Sequence, residues 1–188
     1  MFRILGFALA IATLGLSACK SEGVTGHGPD FEPSPLVMAD SSLPVEMSAS
    51  RYVLANGLNG WQGELDFTFR NDTDRLISLL NCNGTFALRL EKWENGTWVP
   101  AWSPILPECL SLPIEVPPGE NYQHQLHVFS RRPGSNTHPQ FYVDPIDGTY
   151  RLVILAAFWD YHDYDSTWGE EPPLEYRVSA PFEISTAG

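Results

Sequence analysis

Trp61-Gln62-Gly63-Glu64-Leu65-Asp66-Phe67-Thr68-Phe69-Arg70 is the stretch that decides the fold, because its apolar members share one parity and its polar members the other. Successive side chains of an extended chain point to opposite faces, so residues 61, 63, 65, 67 and 69 line one face and Gln62, Glu64, Asp66, Thr68 and Arg70 the other. A helix would scatter both sets around its surface. The stretch is therefore expected to be a half-buried strand, turned at its end by Asn71-Asp72-Thr73-Asp74. Downstream, Phe86, Leu88 and Leu90 alternate with Ala87, Arg89 and Glu91, and that strand runs on through Trp93. Glu94-Asn95-Gly96-Thr97 separates it from a second run over 98–102, and Asn-Gly between two such runs is a strong hairpin signal. Further strands are expected over 109–116, 122–129, 150–159 and 174–184, punctuated by Pro117-Pro118-Gly119-Glu120 and by a loop over 132–139. No segment holds a helical period for three turns. Seven to nine short strands must each bury one face, which predicts an all-β, antiparallel β-sandwich.

The same segments resemble bacterial immunoglobulin-like domains of exported proteins. The resemblance is carried by Phe69-Arg70-Asn71-Asp72-Thr73, by Leu90-Glu91-Lys92-Trp93 with Gly96-Thr97-Trp98-Val99, by Ile114-Glu115-Val116-Pro117-Pro118-Gly119, and by Asp147-Gly148-Thr149-Tyr150-Arg151-Leu152-Val153. It covers roughly residues 50–185 and implies an immunoglobulin-like sandwich over 49–188. Tyr150, just after a glycine at a strand start, resembles a tyrosine corner, whose hydroxyl ties a loop to the strand. Leu152 stands where antibody domains carry a cysteine, so their inter-sheet disulfide is not implied.

The amino end reads as an export signal. Arg3 precedes an uncharged apolar run over 4–16, the length of a signal-peptide core rather than of a membrane span. The run ends in Leu16-Ser17-Ala18-Cys19, which resembles the lipobox of bacterial lipoproteins. The resemblance implies a signal peptide over 1–18 and a Cys19 that carries diacylglycerol and a further palmitate-type acyl chain. More than one chain suffices for stable anchoring in a bilayer. Lys20 after the cysteine resembles the pattern of outer-membrane lipoproteins in cells with two membranes. Residues 19–48, rich in Gly, Pro, Ser and acids, are expected to form a flexible tether, with 43–47 laid along the domain as an edge.

The 188-residue chain would leave a mature part of about 170 residues, enough for one domain and a tether. It has 23 acidic and 11 basic residues, a net charge of −12, which disfavours nucleic acid and anionic headgroups as direct ligands of the domain. Of three cysteines, assigning Cys19 to lipid leaves Cys82 and Cys109, an even pair expected to form a structural disulfide in an oxidising compartment. Their spacing is not that of a Cys-x-x-Cys redox pair.

Candidate chemistry is sparse. Asp160-Tyr161-His162-Asp163-Tyr164-Asp165 gathers Asp160, His162, Asp163 and Asp165 as conceivable metal ligands, but it lacks the glycine and terminal glutamate of an EF-hand loop and reads as a solvated acidic loop. His124 and His127, three apart in a strand, point to opposite faces. There is no Gly-x-Ser-x-Gly turn, and Ser130, Ser135 and His138 read as loop residues. Asn71, Asn83 and Asn95 each open an Asn-x-Thr triplet and are read as turn residues. Six tryptophans remain to be placed: Trp93, Trp98 and Trp102 cluster at the hairpin, and Phe158, Trp159, Tyr161, Tyr164 and Trp168 crowd the acidic loop. Such aromatics either pack the core or form a recognition surface. The expected function is a membrane-anchored, non-catalytic binding or adaptor module of the cell envelope, meeting a protein partner through the 158–168 loop. No cofactor is expected. The alternatives are a carbohydrate- or metal-binding module and, behind them, an enzyme or an enzyme inhibitor, the last with Arg131-Arg132-Pro133-Gly134 as its protruding loop.

Overall fold

The computed structural model describes residues 43–57, 60–106, 111–131, 139–161 and 169–187. In chain order its strands are β1 (Val45–Met47), β2 (Arg51–Gly57), β3 (Gly60–Arg70), β4 (Ile77–Leu79), β5 (Asn81–Cys82), β6 (Thr85–Phe86), β7 (Leu88–Glu94), β8 (Thr97–Trp102), β9 (Ile114–Val116), β10 (Asn121–Ser130), β11 (Gly148–Ile154), β12 (Ala157–Trp159) and β13 (Phe182–Thr186). The stretch that decides the fold is β3, and its parity holds: Leu65, Phe67 and Phe69 are buried while Gln62, Glu64 and Asp66 are exposed.

Two layers enclose the core. In one, β10 runs antiparallel along the whole of β3, and β1 pairs with the far end of β3 on its other edge. In the other, the order is β13-β11-β7-β8. β2 joins them, pairing first in parallel with β13 and then antiparallel with β3. Gly63 permits this changeover, since a Cβ there would lie 2.7 Å from Cδ2 of the buried Leu54 on β2. Leu65, Phe69 and Val128 from the first layer meet Leu90, Leu152 and Ile184 from the second in a single hydrophobic core. Burial of this apolar surface, at about 25 cal/mol per Å², is the main favourable term. β1, β3 and β10 on one side and β7, β11 and β13 on the other make the two layers of a β-sandwich. β12, β4 and β9 form a separate three-stranded sheet, and β5 and β6 a small hairpin.

The Asn-Gly reading also holds. Asn95 and Gly96 take φ of 51° and 83° between Glu94 and Thr97, which face each other at the hairpin end. Asn83 and Gly84, at 48° and 82°, repeat the device between β5 and β6. Tyr150 is fully buried and its hydroxyl donates to the carbonyl of Ile146, which is the geometry of a tyrosine corner.

Three strand expectations need correction. The run over 150–159 is two strands, because Leu155 and Ala156 both donate their N–H to the carbonyl of Ala87 and the chain leaves β7 for β4. Of 174–184 only Phe182 onward is strand: Leu174–Tyr176 is a single 3-10 turn after Pro173, and Pro181 has no N–H to give a ladder. The run over 109–116 keeps strand geometry only at Ile114–Val116 among the described residues. This division makes the strands more numerous and shorter than seven to nine, and the β2–β13 pairing makes the sheet mixed rather than wholly antiparallel.

Candidate functional site

The outer face of the β13-β11-β7-β8 layer carries the most developed arrangement of side chains. Alternation along β7 sends Arg89, Glu91 and Trp93 outward, and the pairing places Trp98 of β8 opposite Trp93 and Arg151 of β11 opposite Glu91. A register shift between Leu90 and Glu91 sets this alignment, since Leu90 faces Trp102 but Glu91 faces Pro100. The two indoles meet edge to face, with centroids 5.1 Å apart. The Arg151 guanidinium lies 4.7 Å over the Trp98 ring.

Glu91 sits between two cations. Its side chain is only 4% exposed, and each carboxylate oxygen is held by one arginine: Oε1 accepts from Arg89 Nε at 2.7 Å and Oε2 from Arg151 Nε at 2.7 Å. Arg151 adds a second contact, from its terminal nitrogen to the same Oε2 at 2.6 Å, so two charge-assisted donors of one guanidinium converge on that oxygen. One anion between two cations leaves a local positive excess on a chain of net charge −12. Trp93 remains 47% exposed beside this fixed network. Tryptophan and arginine held rigid on a sheet are the residue types that dominate recognition hot spots.

The acidic loop is seen at its two ends. Phe158, Trp159 and Tyr161 are half-buried, and His162, Asp163, Tyr164, Asp165 and Trp168 lie outside the described residues, as do Cys19 and Cys109. Trp159 packs against the core, pairs with Ile77 and lies under the Arg75 guanidinium at 4.5 Å. Arg75 also bonds Asp160 at 2.8 Å and Glu170 at 3.0 Å, clamping the neck of the loop. Gly169 completes the neck, since a Cβ there would come within 2.0 Å of the Trp159 carbonyl oxygen. Asp160 thus already has a cation, and among the described residues no three His, Cys, Asp or Glu side chains converge on a metal position.

The histidines separate as expected. His127 is exposed, 4.0 Å from Glu64, while His124 faces inward against the rings of Phe86 at 4.6 Å and Phe67 at 5.4 Å. Burial holds the His124 imidazole below its ordinary pKa of 6.5. The fold therefore favours the neutral ring, and the unfolded chain takes up the proton at higher pH. This contribution to stability is present above the unfolded pKa of 6.5 and is lost as pH falls below it toward the lower folded value. The melting temperature should accordingly fall on acidification below about pH 6.5, and His124→Phe should flatten that part of the profile. Equal slopes for both proteins would remove His124 from the account.

On the outer side of β3 and β10, Ser48, Asp66, Thr68, Gln123 and Gln125 border a shallow depression of about 350 Å³. The Ser48 hydroxyl there donates to the Asp66 carbonyl at 2.8 Å.

The sequence reading did not single out Arg89, Glu91 and Arg151, because their convergence depends on pairing between strands about sixty positions apart. The only local hint is Arg89 and Glu91 on the polar parity of one strand. Compared with known proteins, the chain matches no family model and no curated protein sequence.

Proposed function

We propose that this chain is a lipid-anchored, non-catalytic binding module of a bacterial envelope, whose sandwich meets a protein partner through the outer face of β7, β8 and β11. The observation that carries the reading is the half-exposed Trp93, braced by Trp98 and by the Arg89–Glu91–Arg151 clamp. A pre-organised aromatic anchor loses little entropy on binding, and the positive excess around it suits an acidic patch on the partner. Anchoring is assigned to acylated Cys19, in the outer membrane where the cell has two, with residues 20–42 as tether. Cys82 is assigned a disulfide with Cys109. Support comes from its burial and from Asn83 N–H donating to Oγ of Ser111, a residue two positions from Cys109 in the chain, at 2.9 Å.

The test is crosslinking in cells followed by identification of what co-purifies in detergent, with Cys19→Ala and Trp93→Ala beside the natural chain. The expected result is one stoichiometric envelope protein, release of the Cys19→Ala chain from the membrane fraction, and capture weakened about tenfold or more by Trp93→Ala with unchanged melting. Undiminished capture by Trp93→Ala would dismiss this face as the binding surface.

A further inference from the structure

We infer that β10 is a pairing edge, filled by β10 of a second copy of this chain. Over all ten residues β10 pairs with β3 without a register shift, and among the described residues no strand pairs with its opposite edge, whose last two residues alone have other partners: the Phe129 carbonyl accepts from the Trp102 indole and Ser130 Oγ from the Phe141 N–H. Half of the N–H and C=O groups of an antiparallel strand point away from its neighbour, so from Asn121 to Val128 this edge presents a row of open donors and acceptors.

Exposed edges are ordinarily blunted by shortness, bulges, proline or charge, and the other edges of the molecule show these devices. β1, β9 and β12 have three residues each. β8 carries Pro100 and lies against a register shift. β10 reads Asn121-Tyr122-Gln123-His124-Gln125-Leu126-His127-Val128-Phe129-Ser130, with no proline, glycine, lysine, arginine or acid, in a chain that has 23 acids.

That neutrality points to a second copy as the occupant. Two chains of net charge −12 repel each other over most of their surface, and β10 is a strip along which they can meet without opposing like charges. Glu120 stands just before its first residue, and Glu64 and Asp66 lie one strand further in, where they face His127 and Gln125. Antiparallel pairing about a two-fold axis sets the outward row of Asn121, Gln123, Gln125 and His127 against itself, where amides and imidazoles can hydrogen-bond. The same operation sets Tyr122, Leu126 and Val128 against their equivalents, so the core face becomes continuous across two molecules.

Sedimentation velocity and backbone hydrogen exchange on the intact chain in detergent test this, with Gln123→Lys/Gln125→Lys as the variant. Both side chains are exposed, so the change places two cations on the edge without touching the core. The natural chain should sediment at twice the monomer mass with protected β10 amides. The variant should sediment as a monomer, lose that protection and melt unchanged. Trp93→Ala should remain dimeric, which keeps this result separate from the binding face on β7. A natural chain that stays monomeric at every concentration, alone or bound through β10 to a different protein, overturns the proposal. So does a lysine variant that still dimerises.

Discussion

Trp102→Ala should cost about 3–5 kcal/mol of folding stability, the largest loss expected from any single side chain here. Trp102 is 1% exposed at the end of β8, where it faces Leu90. Its indole N–H donates to the carbonyl of Phe129 on β10 at 3.1 Å, so it belongs to one layer and bonds to the other. Truncation would open a cavity in a core that cannot collapse around it, and would leave the Phe129 carbonyl without that donor. Trp102→Phe separates the two effects: it retains most of the ring volume and should lose about 1–2 kcal/mol. Urea unfolding should show a lower midpoint with an unchanged slope, as expected when the native state alone is weakened. A loss under about 1.5 kcal/mol for the alanine variant would mean that Trp102 is not a core residue.

Asn71→Ala should cost about 2–4 kcal/mol by a different route, the stranding of buried polar groups. Asn71 is fully buried at the end of β3. Its Nδ2 donates to the carbonyls of Arg75 and Val116, both at 2.7 Å, and its Oδ1 accepts from the Thr73 N–H at 3.1 Å and hydroxyl at 2.6 Å. Every polar capacity of the amide is used, and the network links the turn after β3 to β9. Asn71→Asp decides the mechanism. It keeps the shape but turns a double donor into an acceptor facing two carbonyls, so it should destabilise at least as much as alanine. An aspartate variant with a natural melting temperature would show that the donors contribute nothing. The same bonds explain why Asn71, which opens an Asn-x-Thr triplet, serves as a turn residue.

Local physics made part of this protein legible from its residues alone. The period-two pattern of 61–70 identified β3 and its buried face, because side-chain direction in a strand depends only on parity. Asn95-Gly96 identified its hairpin, because positive φ is a property of those two residues, and Asn83-Gly84 carried the same signal in a segment too short to show alternation. Tyr150 identified the corner, four residues from the carbonyl it binds. The separation of His124 from His127 followed from the same parity.

The three hairpin tryptophans show where local reading stops. Trp93, Trp98 and Trp102 are equivalent in sequence, yet the first is half-exposed, the second lies under Arg151, and the third is core. The register shift between β7 and β8 divides them, and it is a property of the pair rather than of either strand. Composition and local periodicity therefore determined that the chain is a β-sandwich and which face of its clearest strand is buried. Tertiary structure alone decided that β2 changes sheets, that Glu91 is clamped between two arginines, and that β10, among the described residues, pairs with β3 alone. Each of these depends on contacts between residues far apart in the chain, and the free energy of such contacts leaves no periodic trace in either partner's own segment.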